Sequence, residues 1–358
     1  MEIKTGLIIS SISLFLLLVY AYKYLNKKQT FIVFLVAYAL VVTVYLGGSV
    51  YYYNFTQRFH LFDPYYQVSP PEFNVPFSKN TDEFRILALG GSTTRDPQKE
   101  EAKNYPYLLE KMLQQRYPDK KITVLNGGMN WCCSKHSLMY YTEYGNLFKP
   151  DLVIVMDAIN DVYRSFSPRN FSIGKFHPSY KHFFGAAYSG AVLNTLERCI
   201  VKNSSDELAD YKEVKYPFSD FLAFETFKQN ETSLVKYILS DSAQCLLVMQ
   251  PSLYDENAAD SVKSKFWFGK YLCNEIKNGN KIYPDASSMK MAMDSFTYAV
   301  NDVAIKHRAH VLNANEKIPK TTAYFYDDVH YTDAGAKKLA ESVFDFINAE
   351  NLIPQKRK

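Results

Sequence analysis

Two short segments, far apart in the chain, hold residue types that together can perform acyl transfer. Ser92 lies in the glycine turn GGSTT at residues 90–94, directly after an apolar run. His330 ends the segment DDVH at residues 327–330, in which Asp327 precedes it by three residues. A hydroxyl, an imidazole base and a carboxylate that orients the base are the minimum set for a serine nucleophile. The sequence therefore predicts an enzyme in which Ser92, His330 and Asp327 react with an acyl group.

The assignment of His330 and Asp327 depends on their spacing. Among the seven histidines, His330 alone has a carboxylate three residues before it, from where the carboxylate can hold the imidazole in one tautomer. We choose Asp327 over Asp328 on this ground, and expect replacement of Asp328 by alanine to cost little activity. The alternative is that His330 is a loop histidine ahead of a final helix, with Thr332 as the N-cap.

Acyl transfer also needs hydrogen-bond donors for the oxyanion of the tetrahedral intermediate. The backbone N–H of Ser92 is one candidate. The side-chain amide of Asn160 is another, in the segment DAIND at residues 157–161, which follows an apolar run. Taken alone, Asn160 is equally typical of a turn that ends a strand.

Patterns of buried strands and amphipathic helices alternate over most of the chain, which is typical of an α/β fold. We expect a three-layer α/β/α sandwich around a parallel sheet of about five strands. The expected strands are at 85–89, 122–125, 151–156, 244–250 and 310–313, and the expected helices at 105–116, 134–147, 287–308 and 332–349.

Three of the polar segments follow predicted strands directly: residues 90–94, 126–128 and 157–161. In open α/β sheets, ligands bind at the carboxyl ends of the strands. Ser92 and Asn160 are therefore expected to meet at one rim of the sheet.

The N-terminal part of the 358-residue chain has two long uncharged stretches, residues 5–22 and 31–53. Each is about as long as the ~20 residues that a helix needs to cross a bilayer, which predicts a transmembrane hairpin; a buried hairpin is the alternative. Lys23, Lys27 and Lys28 between the stretches place the loop in the cytoplasm by the positive-inside rule. The large C-terminal domain is therefore expected on the extracytoplasmic side of a membrane.

The domain boundaries follow from these patterns. Residues 1–53 are the two spans, and the proline- and aromatic-rich residues 54–83 are a tether. Residues 84–350 form the α/β domain, within which residues 162–235 fit no single element and are expected to be an insertion that shapes specificity. Residues 351–358 are a basic tail.

Composition excludes several other classes of function. A net charge of +4 without a basic block in the main body gives no support for a nucleic-acid partner. The five cysteines form no CxxC pair and no metal-like spacing, although one or two disulfides are allowed in an oxidising compartment. The segment GGSTT lacks the lysine of a phosphate-binding loop. We therefore expect neither a metal nor a cofactor.

The order and spacing of these segments resemble the SGNH (GDSL-like) hydrolase family, in particular membrane-linked members with a Gly-Gly-Ser-Thr nucleophile block. The resemblance covers about residues 84–349. Ser92 matches the nucleophile of block I, Asn126-Gly127-Gly128 the start of block II, Asn160 the asparagine of block III, and Asp327 and His330 the dyad of block V.

Two positions depart from the pattern of that family. Trp131 stands where block II usually has the glycine whose backbone N–H completes the oxyanion hole. Its bulky indole is expected to narrow or reshape the acyl pocket, and Gly128 is the alternative donor if the register slips. Ala158 replaces the usual glycine of block III, a small change unless the backbone there needs a positive φ.

The resemblance implies a membrane-anchored serine esterase that removes ester-linked acyl groups, such as acetyl, from an envelope or exported glycan, a lipid or a small ester. An O-acyltransferase with the same triad is an alternative within the family. A non-catalytic, membrane-anchored binding domain of the same fold is a third reading, which Trp131 and Ala158 would favour.

Overall fold

The computed structural model describes residues 19–20, 22–51, 71–96, 100–165, 212–255, 257–266 and 276–354. The chain divides into two compact units. The first consists of Met1–His60 and Gly185–Val201, and the second of Leu61–Phe184 and Lys202–Lys358. Most of the predicted tether, the middle of the predicted insertion and half of the basic tail lie outside the described residues.

In the first unit the structure describes helix α1, Lys27–Tyr51. Asn26 and Gln29 cap its start, because the side chain of each accepts a hydrogen bond from the backbone N–H of the other, at 3.0 and 3.2 Å. Among the described residues, no helix combines the length and the apolar character that a membrane crossing requires. The transmembrane hairpin predicted from residues 5–22 and 31–53 is thus not found, and residues 5–18 lie outside the described part.

The described strands of the second unit form two sheets. They are β1 (Glu83–Gly90), β2 (Lys121–Gly128), β3 (Leu152–Met156), β4 (Lys212–Tyr216), β5 (Gln244–Val248), β6 (Ile276–Lys277), β7 (Asn280–Pro284) and β8 (His310–Leu312). Five of them form a parallel sheet in the order β2-β1-β3-β5-β8. This confirms the predicted α/β fold with a parallel sheet of five strands. The small second sheet, β4-β7-β6, was not predicted, because its strands are short and carry charged residues.

The helices of the second unit pack on the main sheet in two groups. They are α2 (Ser92–Arg95), α3 (Tyr105–Arg116), α4 (Ser134–Glu143), α5 (Ile159–Ser165), α6 (Phe224–Ser240), α7 (Asp260–Lys263), α8 (Ala286–His307), α9 (Ala314–Lys317) and α10 (Asp333–Ala349). Helix α3 contacts α10 and β2, whereas α6 contacts both α4 and α8. Every residue of β1 and β3 is buried, so both faces of the sheet are covered, as expected for an α/β/α sandwich.

The predicted helix at 105–116 has the bounds of α3, and its N-cap is Asn104, whose side chain accepts the N–H of Tyr107 at 2.9 Å. Two other predictions need revision. The helix predicted at 134–147 is divided into α4 and a 3₁₀ turn, Gly145–Phe148. Residues 224–235, placed in the insertion, belong to α6, because buried Phe227 and Leu234 form part of an apolar stripe that joins the core.

A buried ion pair fixes the start of the strand that leads to the glycine turn. The guanidinium of Arg85 donates to the carboxylate of Glu83 at 2.9 and 3.1 Å, and both side chains are 1% exposed. Arg85 also donates to the backbone carbonyls of Pro76, Ser78 and Phe148 at 2.8 to 2.9 Å. All these partners satisfy the buried charge, so β1 has one fixed position in the sheet.

Candidate active site

The predicted nucleophile lies at the carboxyl end of β1, between β2 and β3 in the sheet. Ser92 is the first residue of the short helix α2, directly after Gly90 and Gly91. Gly90 has a φ of 153°, a conformation that L-residues with a side chain rarely adopt. A Cβ atom on Gly91 would lie 2.6 Å from Nδ2 of Asn160. The turn therefore requires both glycines, and it brings the backbone beside Ser92 against Asn160.

The structure brings Ser92, His330 and Asp327 together in one chain of hydrogen bonds. Ser92 Oγ lies 2.8 Å from Nε2 of His330, and Nδ1 of His330 lies 2.7 Å from Oδ2 of Asp327. Asp327 Oδ1 accepts the backbone N–H groups of Val329 and His330 at 2.9 and 2.7 Å. Because an ionised carboxylate can only accept, Nδ1 donates to Asp327, which leaves Nε2 to accept the Ser92 proton.

The charges around the imidazole favour its protonated form. Burial by itself lowers the pKa of His330, but the hydrogen bond to Asp327 and the charges of Asp327, Asp328 and Asp96 outweigh it and raise the pKa above its ordinary value. Burial by itself would raise the pKa of Asp327, but its hydrogen bonds from His330 and the imidazole charge lower it. Asp327 is therefore ionised at neutral pH and stabilises the imidazolium that forms on proton transfer.

Asn160 lies at the carboxyl end of β3, next to the nucleophile turn. Its Nδ2 donates to the backbone carbonyl of Cys132 at 2.7 Å, and the residue is 6% exposed. An amide nitrogen carries two N–H groups, so the second is left for an oxyanion. The backbone N–H of Ser92 belongs to the first turn of α2, where amides have no acceptor within the helix. Both expected donors thus belong to residues that line the same cavity as Ser92 Oγ.

The two candidates for the third donor have different positions. The N–H of Gly128 donates to Oδ1 of Asn126 at 3.0 Å, and a Cβ atom on Gly128 would lie 2.3 Å from the backbone nitrogen of Arg95. Gly128 therefore packs against the turn after Ser92, and its role as an oxyanion donor stays a prediction. Trp131 instead lines the cavity beside Ser92.

The two residues that depart from the family pattern, Trp131 and Ala158, differ in their backbone conformation. Trp131 has a φ of 61°, in the left-handed region that favours glycine. Ala158 is not among the residues with positive φ, so its methyl group is accommodated without backbone strain. The chain thus keeps the backbone of a glycine at 131 and places an indole there.

A cavity of about 510 Å³ opens at Ser92 and is of the size that small-molecule sites have. Its walls combine three aromatic rings with polar groups. The lining residues are Ser92, Asn130, Trp131, Ile159, Asn160, Tyr163, Ser264, Lys265, Phe266, Asp327, Val329 and His330. A substrate in this cavity would contact the nucleophile, its base and Asn160 together.

Asp328 is a second carboxylate at the site, and the expectation that it matters little rested on its spacing alone. It is fully buried and accepts the hydroxyl of Tyr163 at 3.1 Å and the hydroxyl of Tyr254. Its backbone carbonyl accepts the N–H of Leu253 at 2.7 Å. Burial, and then the charge of Asp327, raise the pKa of Asp328 to about 6. In the sequence, the only signal for Asp328 is its position directly after Asp327.

Three further carboxyl groups are buried behind Asn160. Asp161 accepts the backbone N–H and the hydroxyl of Ser134 at 2.9 and 2.7 Å. Burial, and then the charge of Asp161, raise the pKa of Asp157 to about 8. Burial, and then the charges of Asp157 and Asp161, also raise the pKa of Glu231 on α6. These groups surround the segment that carries Asn160, and sequence reasoning missed Glu231 altogether.

Three of the cysteines lie in the part of the chain that the structure describes. Cys132, Cys133 and Cys245 are buried free thiols there, and Cys199 and Cys273 lie outside that part. Within the same residues, no group of three or more histidine, cysteine or acidic side chains could hold a metal ion.

No protein-family model matches the chain, and no curated protein does. Solved structures that resemble it include LAE5, an alpha/beta hydrolase enzyme from the metagenome of Lake Arreo, Spain, at 14% identity and a TM-score of 0.46, over 78% of this chain and 99% of LAE5. The acetylxylan esterase Axe2 from Geobacillus stearothermophilus has 17% identity and a TM-score of 0.44, over 76% and 95%.

A third similar structure is the acetyl xylan esterase AlAXEase, at 10% identity and a TM-score of 0.43, over 74% of this chain and 100% of that one.

Proposed function

We propose that this chain is a serine ester hydrolase of SGNH type that uses Ser92 as nucleophile, His330 as base and Asp327 as the acid that orients the base. The observation that carries the proposal is the chain of hydrogen bonds from Ser92 Oγ through the imidazole to Asp327, at 2.8 and 2.7 Å, at the wall of an open cavity. A serine and a histidine in such contact are the activated pair that acyl transfer needs.

In the proposed reaction, Ser92 Oγ attacks the acyl carbon while its proton passes to Nε2 of His330. The negative charge on the acyl oxygen is held by the N–H of Ser92 and the free amide N–H of Asn160, with the backbone N–H of Trp131 as the proposed third donor. The intermediate collapses to an acyl ester of Ser92, and Nε2 returns the proton to the departing alcohol. Water then attacks the acyl ester while Nε2 takes its proton, and Nε2 returns this proton to Ser92 Oγ as the bond to the acyl group breaks and the carboxylic acid leaves.

The proposed substrates are ester-linked acyl groups, such as acetyl, on a glycan, a lipid or a small ester. The mixture of aromatic and polar side chains around the cavity supports a small polar ester.

A fluorophosphonate probe, which reacts with activated serine nucleophiles, tests this proposal on the full-length protein. We expect labelling of the wild type, none of Ser92→Ala, and loss of most labelling in His330→Ala. Ser264→Ala is the matched control, because Ser264 lines the same cavity while its hydroxyl donates to the backbone carbonyl of Ser261 at 2.8 Å, and it should label as the wild type does. An unlabelled wild type, or equal labelling of Ser92→Ala, would overturn the proposal.

We propose separately, from the sequence alone, that the N-terminal segment attaches the enzyme to a membrane with its domain on the extracytoplasmic side. The uncharged stretches at 5–22 and 31–53 and the lysines between them support this. The protein should fractionate with membranes and be digested by protease added from the extracytoplasmic side. Recovery in the soluble fraction, or protection from that protease, would contradict the proposal.

A further inference from the structure

Asp328 connects three parts of the candidate site through hydrogen bonds. It lies in the turn between Asp327 and His330, and it is fully buried. Its carboxylate accepts the hydroxyl of Tyr163 at 3.1 Å and that of Tyr254, and these two hydroxyls lie 3.4 Å apart. A buried carboxylate between two buried tyrosines has a defined position, because each group satisfies the other.

Each tyrosine belongs to a different wall of the site. Tyr163 lies on α5, three residues after Asn160, and lines the cavity. Tyr254 follows β5, and its ring packs on Phe266, with the centroids 5.1 Å apart. Phe266 in turn lines the cavity. One carboxylate therefore joins the turn that carries His330, the helix that carries Asn160, and an aromatic wall of the cavity.

We propose that Asp328 is a positioning residue for the reaction: through Tyr163 and Tyr254 it holds the Asp327–His330 turn against the cavity wall, and its negative charge favours the imidazolium of His330. This rests on the proposed function, and it goes beyond the triad because the hydrogen bonds of the Asp328 carboxylate lead to Tyr163 and Tyr254. Asp328 acts on the reaction through His330.

The charges that face these groups decide the sign of the effect. His330 faces Asp327 and Asp328 on its own turn and Asp96 after α2, and the ring of Tyr326 stacks on it with centroids 5.5 Å apart. Asp328 itself faces Asp327, His330 and the two tyrosine hydroxyls. Burial raises the pKa of Asp328 to about 6, so it is mostly ionised at neutral pH. Loss of its charge should therefore lower the pKa of His330.

Asp328→Asn tests the proposal in the full-length protein, because it keeps the size and an acceptor oxygen and removes the charge. We expect the acid limb of the kcat/KM profile to move to lower pH, and kcat at neutral pH to fall roughly 10- to 100-fold, the order of loss that misplacement of a catalytic group causes. A merely structural role would lower activity without moving the acid limb. Asp333→Asn removes an exposed carboxylate at the start of α10 and should change neither quantity.

Tyr254→Phe keeps the proposal testable if Asp328→Asn does not fold. Loss of the hydrogen bond from Tyr254 leaves a smaller fraction of Asp328 ionised. We therefore expect kcat to fall and the acid limb to move to lower pH, as in Asp328→Asn. If the wild type is active and either Asp328→Asn or Tyr254→Phe changes neither kcat nor the acid limb, the proposed role of Asp328 is overturned. The proposed triad is not affected by that result. A wild type that neither reacts with the fluorophosphonate probe nor cleaves esters would overturn the proposed function itself.

Discussion

Trp131 holds its backbone in a conformation that favours glycine, at the edge of a cavity that opens on Ser92. For a residue with a side chain this left-handed conformation costs about 1–2 kcal/mol. Such strain persists where the surrounding structure fixes it, and it concentrates at functional sites. We infer that the indole limits the size of the group that can lie next to Ser92.

Trp131→Gly should therefore widen the range of acyl groups that the proposed esterase accepts. We expect the ratio of kcat/KM for a hexanoate ester over an acetate ester to rise by about tenfold, the scale of discrimination that a few methylene groups give in an apolar pocket. The measurement is hydrolysis of p-nitrophenyl esters of increasing chain length. Trp131→Phe keeps an aromatic ring and should retain the acetate preference; a chain-length profile that is the same in all three proteins would contradict the inference.

The spacing of residues in the sequence predicts some of the site but not all of it. Asp327 and His330 are three residues apart, so their contact is local and can be read from the chain. Asp328 owes its burial to Tyr163 and Tyr254, which lie 165 and 74 residues away in the chain, and no local pattern contains that information. The contact of Gly128 with the backbone of Arg95 likewise joins two segments that no local pattern places together.

At the scale of elements, the strand before the nucleophile depends on a buried ion pair. Arg85 and Glu83 lie on β1, and the guanidinium also donates to three backbone carbonyls that hold the strand in place. Breaking such a pair leaves a buried charge without its partner. The position of the glycine turn at the end of β1 therefore depends on Glu83 and Arg85 at the start of that strand.

Glu83→Ala should lower the free energy of unfolding by about 3–5 kcal/mol, because Arg85 would keep its buried charge and lose its carboxylate partner. Chemical denaturation of the full-length protein, followed by tryptophan fluorescence, measures this. Asp82→Ala is the control, since Asp82 is the exposed acidic neighbour and its loss should change stability by less than about 0.5 kcal/mol. Equal effects of the two substitutions would show that the pair does not stabilise β1.

Strands and helices with strong apolar patterns were predicted correctly because burial determines them. Strand β3, with the sequence LVIVM, is buried at every position, and a continuous apolar run is typical of such a strand. Helix α6 was missed because its apolar stripe lies beside residues that fit no element. The sheet formed by β4, β7 and β6 has no such signal, since its first strand is mostly exposed.

At the scale of the whole molecule, the interior of the domain contains several carboxyl groups whose burial opposes their ionisation. Burial raises the pKa of Asp157, Asp161 and Glu231, and Arg164 is the cation whose charge lowers the pKa of the two aspartates. Asp157, with a pKa of about 8, is protonated in the folded state at neutral pH. The unfolded chain would ionise it near 3.8. Folding is therefore linked to proton uptake.

The free energy of unfolding should consequently fall as the pH rises from about 4 to about 8, because the folded state binds a proton that the unfolded state has lost. One proton contributes a slope of about 1.4 kcal/mol per pH unit. Asp157→Asn, which cannot ionise, should have a flatter profile and gain stability at neutral pH. Denaturation of both proteins at several pH values measures this, and parallel profiles would contradict the linkage.

If Ser92 and His330 have the roles that we propose, their order along the chain has a consequence for the synthesis of the protein. Ser92 and His330 are in contact although 238 residues separate them. A ribosome therefore completes β1, β2, β3 and β5 while the serine still has no base. The nascent chain can acquire its fold first and its reactivity last, when the final segment docks. A polypeptide that is interrupted before residue 327 would contain an unreactive serine, so incomplete copies of this chain would be harmless to the esters around them.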